Sequence, residues 1–279
     1  MEKIKGNLYI VPTPIGNLED MTLRSLRILK EADIVLCEDT RRTLALLNHY
    51  DLKKKLLSYH EHNEKMRVDE IINMIYEGME VALVSDAGMP GISDPGHVII
   101  KACIEHGLNV EVLPGATATI TALVLSGLNT DRFTFLGFIP RENKYRNEFL
   151  RELEEINHTS IVYESVHRIL STLKLFSEKF PDRKIAVCRE LTKIHQEINR
   201  GTCLEVYEYY KNKENIKGEF VIILEKAEKE EKEIDIERLL KIELSKGKRK
   251  KEAVKYIVKE YGLNRNDVYQ KSLEIDGDF

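Results

Sequence analysis

The chain has 279 residues, 42% of them apolar, with 43 Lys/Arg against 47 Asp/Glu and a formal net charge of −4. That length suits two domains of about 100–150 residues each, with enough apolar material for proper cores. The charge excludes attraction of nucleic acid by the field of the whole molecule, so any such contact needs a local basic patch.

In chain order, MEKIKGNLYIVPT is broken by a proline and followed by no small-residue cleavage site, so Leu8–Val11 reads as a first strand and not as part of a signal peptide. No later apolar stretch reaches the roughly 20 residues of a membrane span, and no membrane partner is expected. A Pro/Gly turn, PTPIGN, precedes a helix in which Asp20 is placed to cap and Leu23, Leu26 and Leu29 recur at helical spacing. Asp33–Cys37 reads as a second strand and Lys65–Tyr76 as a helix with Val68, Ile71, Ile72 and Ile75 on one face. Val81–Val84 is a third strand, Val98–His106 a helix ended by Gly107, and Val110–Leu113 a strand that stops at Pro-Gly. This alternation predicts a parallel sheet with helices on both faces, and unbroken apolar strands such as VALV fit burial on both sides. After PGATATITALVLSGL the rhythm changes: Phe133–Phe138, Ser160–Tyr163, Ile185–Val187 and Phe220–Leu224 read as strands, Arg168–Phe180 and Leu204–Tyr210 as helices. Residues 1–116 are therefore expected to form one α/β domain and 117–226 a second. Residues 227–279 are expected to hold a charged linker, EKAEKEEKEI, and three short helices, the last two joined by Tyr261-Gly262-Leu263 in helix-turn-helix fashion. The four cysteines (Cys37, Cys103, Cys188, Cys203) make no C-x-x-C pair and read as free thiols in a cytoplasmic protein.

In an open parallel sheet, ligands sit at the carboxyl ends of the strands. Four loops here are marked at such places: PTPIGN, CEDTR, SDAGMPGISDPG and LPGATA. Glycine lets a ligand approach the backbone, and proline shapes the loop in advance. None of the four matches G-x-x-x-x-G-K-[ST] or G-x-G-x-x-G, and loop aspartates repel phosphate. A ligand with ribose hydroxyls and a cationic part fits better, S-adenosylmethionine among them. Tight turns without a ligand remain the simpler reading of any one such loop.

The motifs TPIGN, EDTR, SYHEHNE, SDAGMPGISDPG, ESVHR, RELTK and GEF, in this order, resemble the tetrapyrrole-methylase superfamily. The resemblance is to its branch that methylates the 2′-hydroxyl of a decoding-centre cytidine in 16S rRNA. It covers the chain from Gly6 to about Glu225, and Ser85–Gly96 is its most specific piece. It implies two α/β domains with S-adenosylmethionine in the cleft between them, a homodimer, and 16S rRNA of the small ribosomal subunit as partner. Carried over by position, it implies a donor site of Pro14, Gly16, Ser85, Asp86, Ala87, Gly88, Gly91, Ile92, Ser93, Asp94, Pro114, Gly115, Ala116, Tyr163 and Glu164. The chain departs from the family pattern at Met89, in PGATA around Ala116 and at Val166 in ESVHR.

A ribose hydroxyl is a weak acid, so a base should help its methylation. Glu38, Asp39, His60, His62 and Glu164 are candidates, and Arg41 could hold a neighbouring phosphate. Each has a plainer alternative: Glu38-Asp39 as a helix cap, the histidines as polar loop residues. No third ligand joins His60 and His62, so no metal is expected. Lys241–Lys271 carries ten Lys/Arg against four Asp/Glu, densest at Lys248, Arg249, Lys250 and Lys251, which fits an RNA-backbone patch or a solvated helix start. A corrin-type methylase is a competing reading, but the first loop, Pro14-Ile15-Gly16-Asn17, lacks the aspartate of those enzymes' Gly-Pro-Gly-Asp. Diphthine synthase-like protein methylation and non-catalytic RNA binding are the others.

Overall fold

The computed structural model describes residues 5–227 and 235–275, in two compact units that divide at Ala227/Glu228. Most of the charged linker, residues 228–234, lies outside the described residues.

The first unit contains two five-stranded sheets. In the first sheet the strands are β1 (Asn7–Ile10), β2 (Ile34–Cys37), β3 (Lys55–Ser58), β4 (Val81–Leu83) and β5 (Asn109–Val112), in the order β3-β2-β4-β1-β5. Every pairing is parallel, with Leu8 opposite both Val81 and Val110. Burial on both faces explains the apolar runs: β2 and β4 are buried at every residue. One face packs on α3 (Glu64–Tyr76) and α4 (His97–Glu105) through Ile71, Ile75, Ile99 and Cys103. The other packs on α1 (Leu23–Glu31) and α2 (Thr40–His49) through Ile28, Leu29 and Leu47. The cap of α1 is Thr22, not Asp20: the Thr22 hydroxyl accepts from Ser25 N–H, while Asp20 closes a short 3-10 turn. Of the leucine repeat, Leu29 is buried and Leu26 half-buried against the core but Leu23 is 86% exposed, and the buried face of α1 is Ser25, Ile28 and Leu29.

The second sheet holds β6 (Phe133–Phe138), β7 (Thr159–Glu164), β8 (Lys184–Arg189), β9 (Glu197–Thr202) and β10 (Phe220–Leu224), ordered β6-β7-β10-β8-β9. Only β6 and β7 run parallel; the other pairs are antiparallel. The helix α5 (Ala118–Ser126) buries Ala122 and Leu123 against Ile161, Ala186, Val221 and Ile223 on one face. The helices α6 (Asn143–Glu155), α7 (Ile169–Lys179) and α8 (Cys203–Lys211) cover the other through Leu153, Phe176 and Tyr210. All four cysteines are free and buried: Cys37 and Cys103 in the cores of the first sheet, Cys188 and Cys203 in those of the second.

The second unit is a three-helix cluster, α9 (Ile236–Ser245), α10 (Lys250–Tyr261) and α11 (Arg265–Glu274), around Leu240, Leu244, Ala253, Ile257 and Val268. Gly262, with φ 65°, ends α10 in the left-handed conformation that permits the sharp turn into α11. No helix among the described residues is long and apolar enough to cross a membrane.

Candidate active site

The strand order places β4, β1 and β5 side by side, so the loops after them meet at one edge of the first sheet. Thr13 and Gly88 exchange backbone hydrogen bonds of 2.9 and 3.0 Å, and the Thr13 hydroxyl donates to the Ser85 carbonyl at 3.1 Å. Ser85 in turn donates to the Gly88 carbonyl at 3.1 Å. These bonds close Ser85–Gly88 into a rigid turn. Ser93, further along, holds φ 62°, an uncommon and strained conformation for a residue with a Cβ.

This loop forms one wall of a cavity of about 600 Å³. Ala87, Gly88, Met89, Ile92, Ser93 and Asp94 come from it, Ile15 from the first loop, and Thr117–Ile120 from the N-cap and first turn of α5. The facing wall belongs to the second sheet: Phe135, Phe138, Tyr163, Glu164, Phe220 and Val221, with Leu191 and Gly218–Glu219. In a regular strand Phe135 and Phe138, three apart, would point to opposite faces. A register shift between them, with Gly137 at φ 67°, turns both toward Tyr163, at ring separations of 4.7 and 5.6 Å. The Tyr163 and Thr119 hydroxyls share a 2.7 Å hydrogen bond across the cavity wall. Burial, then this Thr119 contact, then the Asp94 charge set the Tyr163 phenol; the net result is a raised pKa.

Of the sequence-derived donor residues, Ala87, Gly88, Ile92, Ser93, Asp94, Tyr163 and Glu164 line this cavity. Pro14, Gly16, Ser85, Asp86, Gly91, Pro114, Gly115 and Ala116 stand outside its lining. Gly16 and Gly115 are required by close packing. A Cβ on Gly16 would sit 2.7 Å from the Leu191 carbonyl oxygen, and one on Gly115 2.3 Å from Pro12 Cγ. Asp86 ties the loop to the start of α2, accepting from Asp39 N–H at 3.1 Å and pairing with Arg42 at 3.2 Å. Glu164 is 2% exposed, with one oxygen accepting from Ser165 N–H and the other from the Thr172 hydroxyl at 2.6 Å, which pins the start of α7. Arg168 holds the Ile139 carbonyl at 2.8 Å. Two departures from the family pattern, Met89 and Val166, line the cavity; Ala116 packs beside α5.

Sequence reasoning missed the apolar wall of Ile15, Phe135, Phe138 and Leu191. The one available signal was a glycine inside the strand FTFLGF, which marks a bulge.

The polar candidates gather beside the cavity. Burial pushes the Asp94 carboxyl up to about 7, helped by the charges of Glu38 and Asp86 and opposed by the Ser85 hydroxyl. Glu38 is also raised, by desolvation first and then by Asp86, with Arg42 and His60 acting against. Asp39 is committed elsewhere: it caps α2, bonds the Arg41 guanidinium at 2.8 and 3.1 Å, and is held well below the usual carboxylate range by it. Arg41 itself is exposed. His60 Nε2 lies 3.2 Å from Asn63 Nδ2, while its buried Nδ1 has no partner among the described residues; its ring is 5.9 Å from that of His62.

The chemistry of the lining narrows the ligand. Among the described residues, no Lys, Arg or His lines the cavity, whose ionisable groups are Asp94, Tyr163, Glu164 and Glu219. Flat apolar walls with carboxylates and hydroxyls fit a ligand that joins an aromatic base and ribose to a cationic centre, and they do not fit a polyanion. S-adenosylmethionine has that make-up, so the residues present fit it.

The sequence model of the Tetrapyrrole (Corrin/Porphyrin) Methylases matches residues 7–207, and the chain belongs to that family. Within it, the chain is 46% identical over 272 residues to the ribosomal RNA small subunit methyltransferase I of Halalkalibacterium halodurans, covering 95% of this chain and 94% of the relative. Enzymes of the same name from Hydrogenobaculum sp. and Thermotoga maritima are 52% and 46% identical over 221 and 219 residues. These matches take up 95% and 98% of the relatives but 78% of this chain. A solved uroporphyrin-III C-methyltransferase of Thermus thermophilus, complexed with S-adenosylhomocysteine, shares the fold at TM-score 0.55 and 22% identity, over 80% of this chain and 98% of its own.

Proposed function

We propose that this chain methylates the 2′-hydroxyl of a decoding-centre cytidine in the 16S rRNA of the small ribosomal subunit. S-adenosylmethionine is the cofactor and supplies an electrophilic methyl group on a sulfonium. The observation that carries the reading is the cation-free cavity between the Ser85–Gly96 loop and the second sheet, in a chain whose 40–52% identical relatives are named for rRNA methylation.

The residues divide the work. Ile15, Phe135, Phe138 and Leu191 offer flat apolar surface to the adenine, and the Tyr163–Thr119 pair orients a polar group beside it. Asp94, Ser93 and the turn at Ala87–Gly88 provide oxygens for hydroxyl and cationic groups. The Asp94 carboxyl, balanced between its two forms near neutral pH, takes up the proton from the ribose hydroxyl; that balance suits a general base. Burial first, and then the charges of Glu38 and Asp86, keep it so. Positioning supplies much of the remaining rate, because the sulfonium is already a good leaving group.

The test is methyl transfer from labelled donor to small subunits from a strain lacking this activity, with naked 16S rRNA alongside. Label in one alkali-resistant cytidine linkage is the expected result. Donor binding with no label in either RNA would overturn the assignment of substrate.

A further inference from the structure

The basic patch that sequence density points to overlaps only in part with the free cations the fold presents, sharing Lys251 with them. Lys246 and Lys248 both pair with the buried carboxylate of Glu243, and the Lys248 ammonium also lies 3.7 Å above the Tyr256 ring. Lys250 donates to the Ile275 carbonyl at 3.0 Å. These three cations of KGKRKK hold the helices together. Lys251, Lys255 and Lys259 differ. They recur every fourth residue on α10, each is exposed, and none has a carboxylate within ion-pair distance among the described residues. Steps of four residues rise about 6 Å, so the three ammonium groups form one row about 12 Å long. Of the neighbouring acids, Glu252 is turned to the backbone N–H of Arg249, and Glu260 lies further round the helix. Tyr256, 41% exposed, borders the row.

A second observation concerns what this surface is for. The family model ends at residue 207, inside the first unit, and every residue of the cavity lies there too. The relatives from Hydrogenobaculum and Thermotoga match along nearly their whole length while leaving 22% of this chain unmatched, about the size of the second unit. Chains of that length carry the same enzyme name with little sequence to spare beyond the matched 221 and 219 residues.

We infer that the C-terminal unit is an accessory clamp for the phosphate backbone of RNA, acting through the Lys251–Lys255–Lys259 row, and that it sets substrate affinity without entering the chemistry. The inference rests on the reading of function given above. Charge complementarity selects the partner: residues 235–275 carry 11 Lys/Arg against 7 Asp/Glu in a chain of net −4. In a helix-turn-helix pair the first helix crosses the backbone, and α10 is the first of the α10–α11 pair. Contacts of this kind fix position and orientation and carry no base preference.

The experiment compares the full-length chain with two triple variants of equal charge change. One is Lys251→Gln/Lys255→Gln/Lys259→Gln. The other is Lys211→Gln/Lys241→Gln/Lys271→Gln, whose lysines are all exposed and paired with carboxylates. Steady-state kinetics on small subunits and the salt dependence of binding are read for each. The row variant should raise KM about tenfold, keep kcat within twofold, and flatten the slope of log K against log salt by about 2 to 3. The control should stay within twofold in all three. A row variant that matches the control, or that loses kcat instead of affinity, overturns this inference alone. A parent chain that neither methylates nor binds RNA overturns the functional reading, and this one with it.

Discussion

The two sheets of the first unit build their halves of the cavity by different means. The parallel sheet contributes loops: its central strands β2 and β4 are buried on both faces, so the chain beyond the carboxyl ends meets the ligand, and there it places carboxylates, hydroxyls and strained backbone. The largely antiparallel sheet contributes strand surface, with a bulge that turns Phe135 and Phe138 to one side. Polarity comes from the half that is shaped by turns, and rigidity from the half that is shaped by pairing. The difference teaches where each kind of substitution should act.

The largest effect is expected where the halves touch. A side chain at Gly16 would collide with Leu191 and Thr192 from the second half. Gly16→Val should cost about 3 kcal/mol of unfolding free energy in denaturant titrations. Donor affinity should fall with it, while far-UV circular dichroism stays native-like at 20 °C. Unchanged stability would mean that the halves do not depend on this contact.

Asp94 tests the polar half. An aspartate ordinarily titrates near 3.9, and in this fold the Asp94 carboxyl is raised to about 7. The folded chain therefore holds that proton more tightly than the unfolded one. Its contribution to stability is complete below about pH 4 and is lost as pH rises toward 7. Asp94→Asn removes the loss, so the variant should match the parent at pH 4 and exceed it by about 2 kcal/mol at pH 8, allowing for the residue's partial exposure. Methyl transfer should meanwhile drop about a hundredfold and lose its rise with pH. A variant with parent-like pH–rate behaviour would remove Asp94 from proton transfer.

The smallest effect is expected on the aromatic wall. Tyr163→Phe keeps the ring contacts with Phe135 and Phe138 and removes only the bond to Thr119. It should weaken donor binding by about fivefold, near 1 kcal/mol, in a calorimetric titration. A larger loss would give the hydroxyl a direct role.

What could be read from sequence follows the same division. Strands buried on both faces announce themselves, as Val81–Leu83 does, and so do the turns that follow them. The edge strands do not. Glu197–Thr202, EINRGT, is nowhere fully buried and has no apolar run, so its pairing with β8 is set by the sheet alone. Lys55–Ser58 and the helix Asn143–Glu155 were hidden for related reasons, a short half-buried run in one and a sparse apolar face in the other. Parallel and antiparallel neighbours look alike in a list of apolar strands, and the second sheet's mixture was not foreseeable from it. Within the site, the sequence presents its glycines as openings for a ligand, yet Gly16 and Gly115 are openings for other parts of the chain. The aromatic wall escaped because Phe135 and Phe138 look like core until the bulge is known.

The four interior thiols add a property of their own. Burial pushes Cys103 and Cys188 up to about 11 and Cys203 to about 12, and it raises Cys37 as well. None can be alkylated while its core stays shut. Two of them sit in each half, so the pace at which an alkylating reagent marks either pair reports how often that half breathes. The chain thus carries a built-in pair of clocks, one for the half that holds the loops and one for the half that holds the wall.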